Sequence, residues 1–113
     1  MHELSLAKSI CDTVARHVLK DQRVACVVVE LGPLSGVVAD ALQFGFEMVA
    51  QQSGLAGARL EVHHLVAQGV CPECQAQVEV REMWAACPSC GHEPVTVHGG
   101  TEFRLKEIEV EDV

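Results

Sequence analysis

The chain has 113 residues, nearly half of them hydrophobic, with sixteen acidic against eight basic side chains and a net charge of −8. That length fits one compact domain plus a small satellite, and an acidic surface with one Trp, three Phe and no Tyr offers neither a cationic stripe for phosphates nor a stacking platform, which excludes nucleic acid as a partner. No apolar run approaches the roughly 18 residues of a membrane span and nothing at the start resembles a secretory leader, so the expectation is a cytoplasmic protein with no membrane partner.

Residues 4–19 predict an amphipathic helix. Leu4, Ala7, Cys11, Val14, Ala15 and Val18 recur at spacings of three and four, Leu6 and Ile10 widen the stripe, and Lys8, Asp12, Arg16 and Lys20 form the opposite, solvated row. Val24 to Leu31 is almost continuously β-branched and predicts a strand covered on both faces, ended by Gly32-Pro33. A second helix is expected from Val38 to Gln52, with Val38, Ala41, Leu42, Gly45, Met48 and Val49 inward and Gly54 as its stop. A strand follows from Ala58 to Val66, completing a strand–helix–strand crossover. After the Gly99-Gly100 hinge, Glu102 to Val110 reads as a returning strand. Its alternation slips phase between Phe103/Leu105 and Ile108/Val110, and a bulge near Lys106-Glu107 would bring both pairs to the core. Cys11 and Cys26, among aliphatic neighbours, read as buried thiols.

Between these strands lie two matched knuckles, Cys71-Pro72-Glu73-Cys74 and Cys87-Pro88-Ser89-Cys90. A two-residue gap lets one tight turn aim both sulfurs at a common point, and two such turns supply the closed tetrahedral thiolate set that zinc prefers in structural sites. The twelve residues between the knuckles suffice for a short hairpin. Disulfides would need an oxidising compartment, for which no leader argues. Iron in a rubredoxin-like cage uses the same ligands. The site is read as zinc. The expected fold is thus α/β (α+β): a domain of two helices and a three-stranded sheet, residues 1–66 plus 98–113, with a zinc ribbon, residues 67–97, inserted before the last strand.

A second metal signal lies at the opening Met1-His2-Glu3. A large residue at position 2 blocks removal of the initiator methionine, which keeps His2 second. The Met1 amine, the His2 backbone nitrogen and the His2 imidazole then close fused chelate rings, and three nitrogens near one plane suit Ni(II) or Cu(II) better than zinc. The same residues have plainer readings. His2 is a solvated residue at a helix start, and Glu3 and Asp40 are carboxylates in the first turns of their helices. His17 sits near a helix end. His63 and His64 alternate faces of a strand, one exposed and one packed. His92 lies where it could orient a thiolate, and His98 is a solvated residue beside the hinge.

Taken together, these features resemble the HypA/HybF family of hydrogenase-maturation nickel chaperones. The matching stretches are Met1-His2-Glu3-Leu4-Ser5, Val29 to Val37, Leu42-Gln43-Phe44 with Phe46-Glu47, Ala58-Arg59-Leu60-Glu61, the two knuckles, and Gly100 to Val110. The resemblance implies a protein that is not an enzyme but binds Ni(II) and helps deliver it to the large subunit of [NiFe]-hydrogenase. It implies His2 as nickel ligand, with Met1, Glu3 and Asp40 as groups around that ion, and zinc on Cys71, Cys74, Cys87 and Cys90. A HypB-type GTPase is the implied partner, the hydrogenase large subunit the recipient, and some relatives serve urease maturation. Some relatives carry His directly after each knuckle; here Gln75 and Gly91 occupy those places. No P-loop or catalytic constellation stands out, so nucleotide hydrolysis falls to a partner. A zinc-ribbon adaptor without a second metal and an iron-thiolate electron carrier are the competing readings.

Overall fold

The structure is a computed structural model and describes residues 2–82 and 85–113. In chain order the elements are α1 (His2–Ala15), β1 (Gln22–Leu31), α2 (Ala39–Gln52), β2 (Arg59–His64), β3 (Ala67–Val70), β4 (Gln77–Val80), β5 (Thr96–His98) and β6 (Phe103–Asp112). Two helices and two small sheets make the fold α+β. One sheet runs β2-β1-β6 and the other β4-β3-β5.

The chain forms two compact units, Met1–Val29 with Val37–His63 and Arg104–Val113, and Glu30–Gly36 with His64–Phe103. Within the second unit, backbone bonds close the later segment upon residues 31–34. Gly32 N–H donates to Glu102 O at 2.8 Å, Leu34 N–H to Gly100 O at 2.7 Å and Leu65 N–H to Leu31 O at 2.8 Å.

In the first unit β1 is the central strand, and its β-branched run is buried on both faces at Val24, Cys26, Val27, Val28 and Val29. Helix α1 starts at His2 and ends earlier than the periodicity predicts. Arg16 and His17 N–H turn back to Thr13 and Val14 carbonyls at 3.2 and 3.0 Å, while the His17 ring meets Thr13 O at 2.8 Å. Those short-range bonds tighten and close the helix. Helix α2 ends as expected: Gly54 takes φ +77° and Leu55 N–H returns to Ala50 O at 2.9 Å, a Schellman closure.

The inward face of α2 keeps Leu42 and Gly45 as expected, but Phe46 and Ala50 replace Val38, Ala41 and Met48 on it. Leu42, Gly45, Phe46 and Ala50 are buried, whereas Ala41 is exposed and Val38 and Met48 are 58 % and 46 % exposed. The reason is the helix–helix contact. A Cβ placed on Gly45 would lie 3.5 Å from Ala7 Cβ and 3.5 Å from the Leu4 Cα, so the two helices meet at Gly45. Turning that residue to α1 carries Phe46 into the core and Met48 out of it. On α1 the buried residues are Ala7, Ile10, Cys11 and Val14, with Leu4 and Ala15 left exposed. In β6 the phase slip is real: Phe103, Leu105 and Ile108 are half-buried around an exposed Lys106-Glu107 pair. Val110 nonetheless stays 39 % exposed, against the expectation for it.

In the second unit β3 pairs antiparallel with both neighbours, Gly69 opposite Val78 of β4 and Val97 of β5. Its core is small: Ala67, Val78, Val80 and Val95 close around Cys71 and Cys87.

Candidate metal sites

The two knuckles fold alike because the same backbone bonds close each turn. Gln75 N–H donates to Cys71 O at 2.9 Å and Gly91 N–H to Cys87 O at 2.8 Å. Cys71 N–H donates to Ala76 O at 3.0 Å and Cys87 N–H to His92 O at 2.8 Å. The residue after each knuckle has positive φ, 66° at Gln75 and 80° at Gly91, so both are turn positions.

These turns set the charge on the sulfurs. N–H groups of Cys74 and Glu73 bond the Cys71 sulfur and pull its pKa below the ordinary thiol value. Those of Cys90 and Ser89 act likewise on Cys87 and bring it to about 6. At Cys74 and Cys90 the N–H groups of Ala76 and His92 favour thiolate, but neighbouring sulfurs and burial outweigh them. Both rise, Cys90 to about 12. One sulfur of each knuckle is thus favoured toward thiolate by its own turn, and binding a divalent ion displaces the remaining protons.

All four ligand atoms lie within 4.8 Å of one another, the one such set among the described residues. Cys71 and Cys90 sulfurs are 3.5 Å apart, Cys74 and Cys87 3.6 Å. Zn–S bonds of about 2.3 Å put the corners of a regular tetrahedron roughly 3.8 Å apart, so these two pairs lie within a few tenths of an ångström of tetrahedral spacing and the remaining pairs need at most about 1 Å of adjustment. Cys71 and Cys87 are buried and Cys74 and Cys90 exposed. The His92 ring faces Glu73 at the 4.0 Å limit of an ion pair, while its backbone N–H serves Cys90. Sequence reasoning had considered only the ring; the matched position of Ala76, five residues after Cys71, was the available signal.

At the chain start His2 is exposed, and the Met1 amine lies outside the described residues. Glu3 accepts the N–H of Val38, the residue preceding α2, at 3.1 Å. That bond, more than any other, holds its carboxyl below the usual value of 4.5. Asp40 is exposed in the first turn of α2. The structure therefore brings Glu3 to the end of α2 that carries Asp40, with His2 one residue away in sequence.

Other candidates fall elsewhere. His98 is exposed on β5 and His64 at the end of β2. His63 bonds Glu61 at 2.6 Å, and Glu61 also receives the Cys26 thiol at 3.8 Å. This chain of contacts was not foreseen, although the spacing of two between Glu61 and His63 on a strand indicated a shared face. Burial pushes the Cys11 and Cys26 thiols up, as suits two apolar core residues.

The fold and site define a small α+β protein in which a helix-pair unit is joined to a four-cysteine metal-binding unit. A family described as "Hydrogenase/urease nickel incorporation, metallochaperone, hypA" matches residues 1–110. The chain belongs to this HypA family, and so is a metallochaperone rather than an enzyme. It is 42 % identical over 113 residues to the hydrogenase maturation factor HypA of Dechloromonas aromatica and 40 % identical over 111 residues to that of Geotalea uraniireducens, in each case covering 98 % of this chain and all of the relative. In fold it is similar to the Ni metallochaperone HypA from Helicobacter pylori, with a TM-score of 0.57 and 22 % identity across 95 % of both chains.

Proposed function

We propose that this chain binds Ni(II) at its start and helps insert it into the large subunit of [NiFe]-hydrogenase, while Cys71, Cys74, Cys87 and Cys90 hold a resident zinc ion. Beside family membership, the observation that carries the reading is the Glu3 bond to Val38. It ties the first turn of α1 to the start of α2 and leaves the His2 imidazole exposed. A delivery protein must hold its cargo without burying it, and the exposed His2 meets that need. The His2 ring, its backbone nitrogen and the Met1 amine offer the near-planar nitrogens that Ni(II) favours. Glu3 positions that segment, and Asp40 adds negative charge at the neighbouring helix end.

Zinc in the cysteine site supplies a fixed tetrahedral closure for a unit with little core. In this reading nickel handling belongs to the helical part, residues 1–66 plus 98–113, and zinc to residues 67–97. A HypB-type GTPase supplies nucleotide hydrolysis and the hydrogenase large subunit receives the ion, with urease maturation proteins as further partners, in the cytoplasm. No helix among the described residues is long and apolar enough to cross a membrane.

The deciding experiment is metal analysis of wild type beside His2→Ala after addition of Ni(II). One nickel and one zinc per wild-type chain, with nickel alone lost from the variant, is expected. Equal nickel in both proteins removes His2 from the site and leaves a zinc-ribbon adaptor.

A further inference from the structure

The outer side of the helix pair exposes large apolar residues that the core does not use. Leu4, Phe44 and Met48 are 37 %, 66 % and 46 % exposed. They are contiguous: with Glu3, Ala41 and Gly45 they line one cleft of about 140 Å³. Leu4 and Met48 also line a broader hollow of about 540 Å³ that continues past Ser5, Lys8 and Gln52. Clustered apolar surface of this kind, rimmed by polar groups, marks a place where something binds.

The rim says what kind of partner fits. Glu3 lines the cleft, and helical spacing sets Asp40 and Glu47, seven residues apart, along the side of α2 beside Phe44. Among the described residues none of these three carboxylates has a cation within ion-pair distance. The nearby cation, Lys8, already faces Asp12 at 3.6 Å. The apolar groove is therefore bordered by acidic groups, with Asp40 and Glu47 exposed on α2 and Glu3 bonded to the Val38 N–H.

We propose that this groove docks a protein partner through an amphipathic helix with apolar anchors at i, i+3/i+4 and i+7 and with Lys or Arg on its flanks. The partner exchanges nickel with this chain, a role that rests on the function proposed above. A second copy is a poor occupant, because it would press the Glu3, Asp40 and Glu47 rows of two acidic chains together. Leu4 is two residues from His2 on the same helix. At about 1.5 Å of rise per residue, a helix seated on Leu4 and Phe44 lies against the same end of α1 that carries His2.

The test places photoreactive benzoylphenylalanine at position 44 of the full chain in its own cells and maps the cross-linked peptides by mass spectrometry. The expected adduct is one protein, joined through a helical segment with apolar anchors and basic flanks. With that protein purified, Phe44→Glu and Met48→Glu should each weaken binding at least about tenfold, while Ni(II) stoichiometry and thermal midpoint match wild type. Adducts to a second copy, to this chain's own residues 64–103 or to an acidic segment overturn the proposal, as does the absence of any adduct or an unchanged affinity of Phe44→Glu. If wild type fails to bind Ni(II) through His2, the cargo role falls, and the cross-link still decides the docking surface.

Discussion

Removing one zinc ligand should unfold one unit of this protein and spare the other. In Cys74→Ser the four-sulfur set loses an exposed member whose sulfur lies 3.6 Å from that of Cys87. The second unit has a core of Ala67, Val78, Val80 and Val95 around Cys71 and Cys87. Its three valines contribute about 1.5–3 kcal/mol each, whereas a structural zinc contributes about 10–16 kcal/mol of binding free energy at neutral pH. Metal binding therefore outweighs those three valines together. The assay is hydrogen exchange read by mass spectrometry, with metal content measured on the same sample. Peptides of β3, β4 and β5 should lose their protection, while α1, α2 and β1, with their own core, retain theirs. Unchanged protection of β3–β5 in a sample proven free of zinc would refute the reasoning, since the unit would then stand without its metal.

Extending the chain ahead of Met1 with a short tag should weaken Ni(II) binding although His2 is retained, as titration with Ni(II) will read; full affinity would remove the amine from the ligand set. His2→Ala should keep zinc yet fail to support hydrogenase maturation at limiting nickel, with partial rescue by excess nickel through mass action, whereas Cys87→Ser should resist such rescue. Phe46→Ala, at a fully buried position, should cost about 3–5 kcal/mol in denaturant unfolding, and Met48→Ala, 46 % exposed, should cost well under half as much; comparable losses would restore Met48 to the inward face of α2 expected from periodicity. The Glu3 carboxyl is held below 4.5 by the Val38 N–H, so its stabilisation is present above that pH and lost as pH falls through the lower folded value. Thermal midpoints of wild type and Glu3→Gln should therefore converge on acidification, and a gap that does not change with pH would mean that the carboxylate's charge contributes nothing.

Local spacing determined what short-range geometry controls. Two cysteines separated by two residues can share one turn, and the backbone bonds of Gln75 and Gly91 to Cys71 and Cys87 belong to that same stretch of chain. The apolar run of β1 likewise announced a central strand, because only a strand covered on both faces tolerates it. The face of α2 was beyond the sequence. Its segment holds apolar residues nearly all round, so Ala41/Met48 and Leu42/Phe46 are both reasonable stripes, and the close approach of Gly45 to Ala7 and Leu4 selected the second. The same holds for Glu3 and Val38, 35 residues apart, and for Cys26 and Glu61, also 35 residues apart. Each such pair depends on how helices and strands of fixed local form are brought together, and no periodicity within one element carries that information. His2 could be proposed as a ligand from its place in the chain; that its neighbour Glu3 reaches the Val38 N–H at the start of α2 was decided by the packing of the two helices.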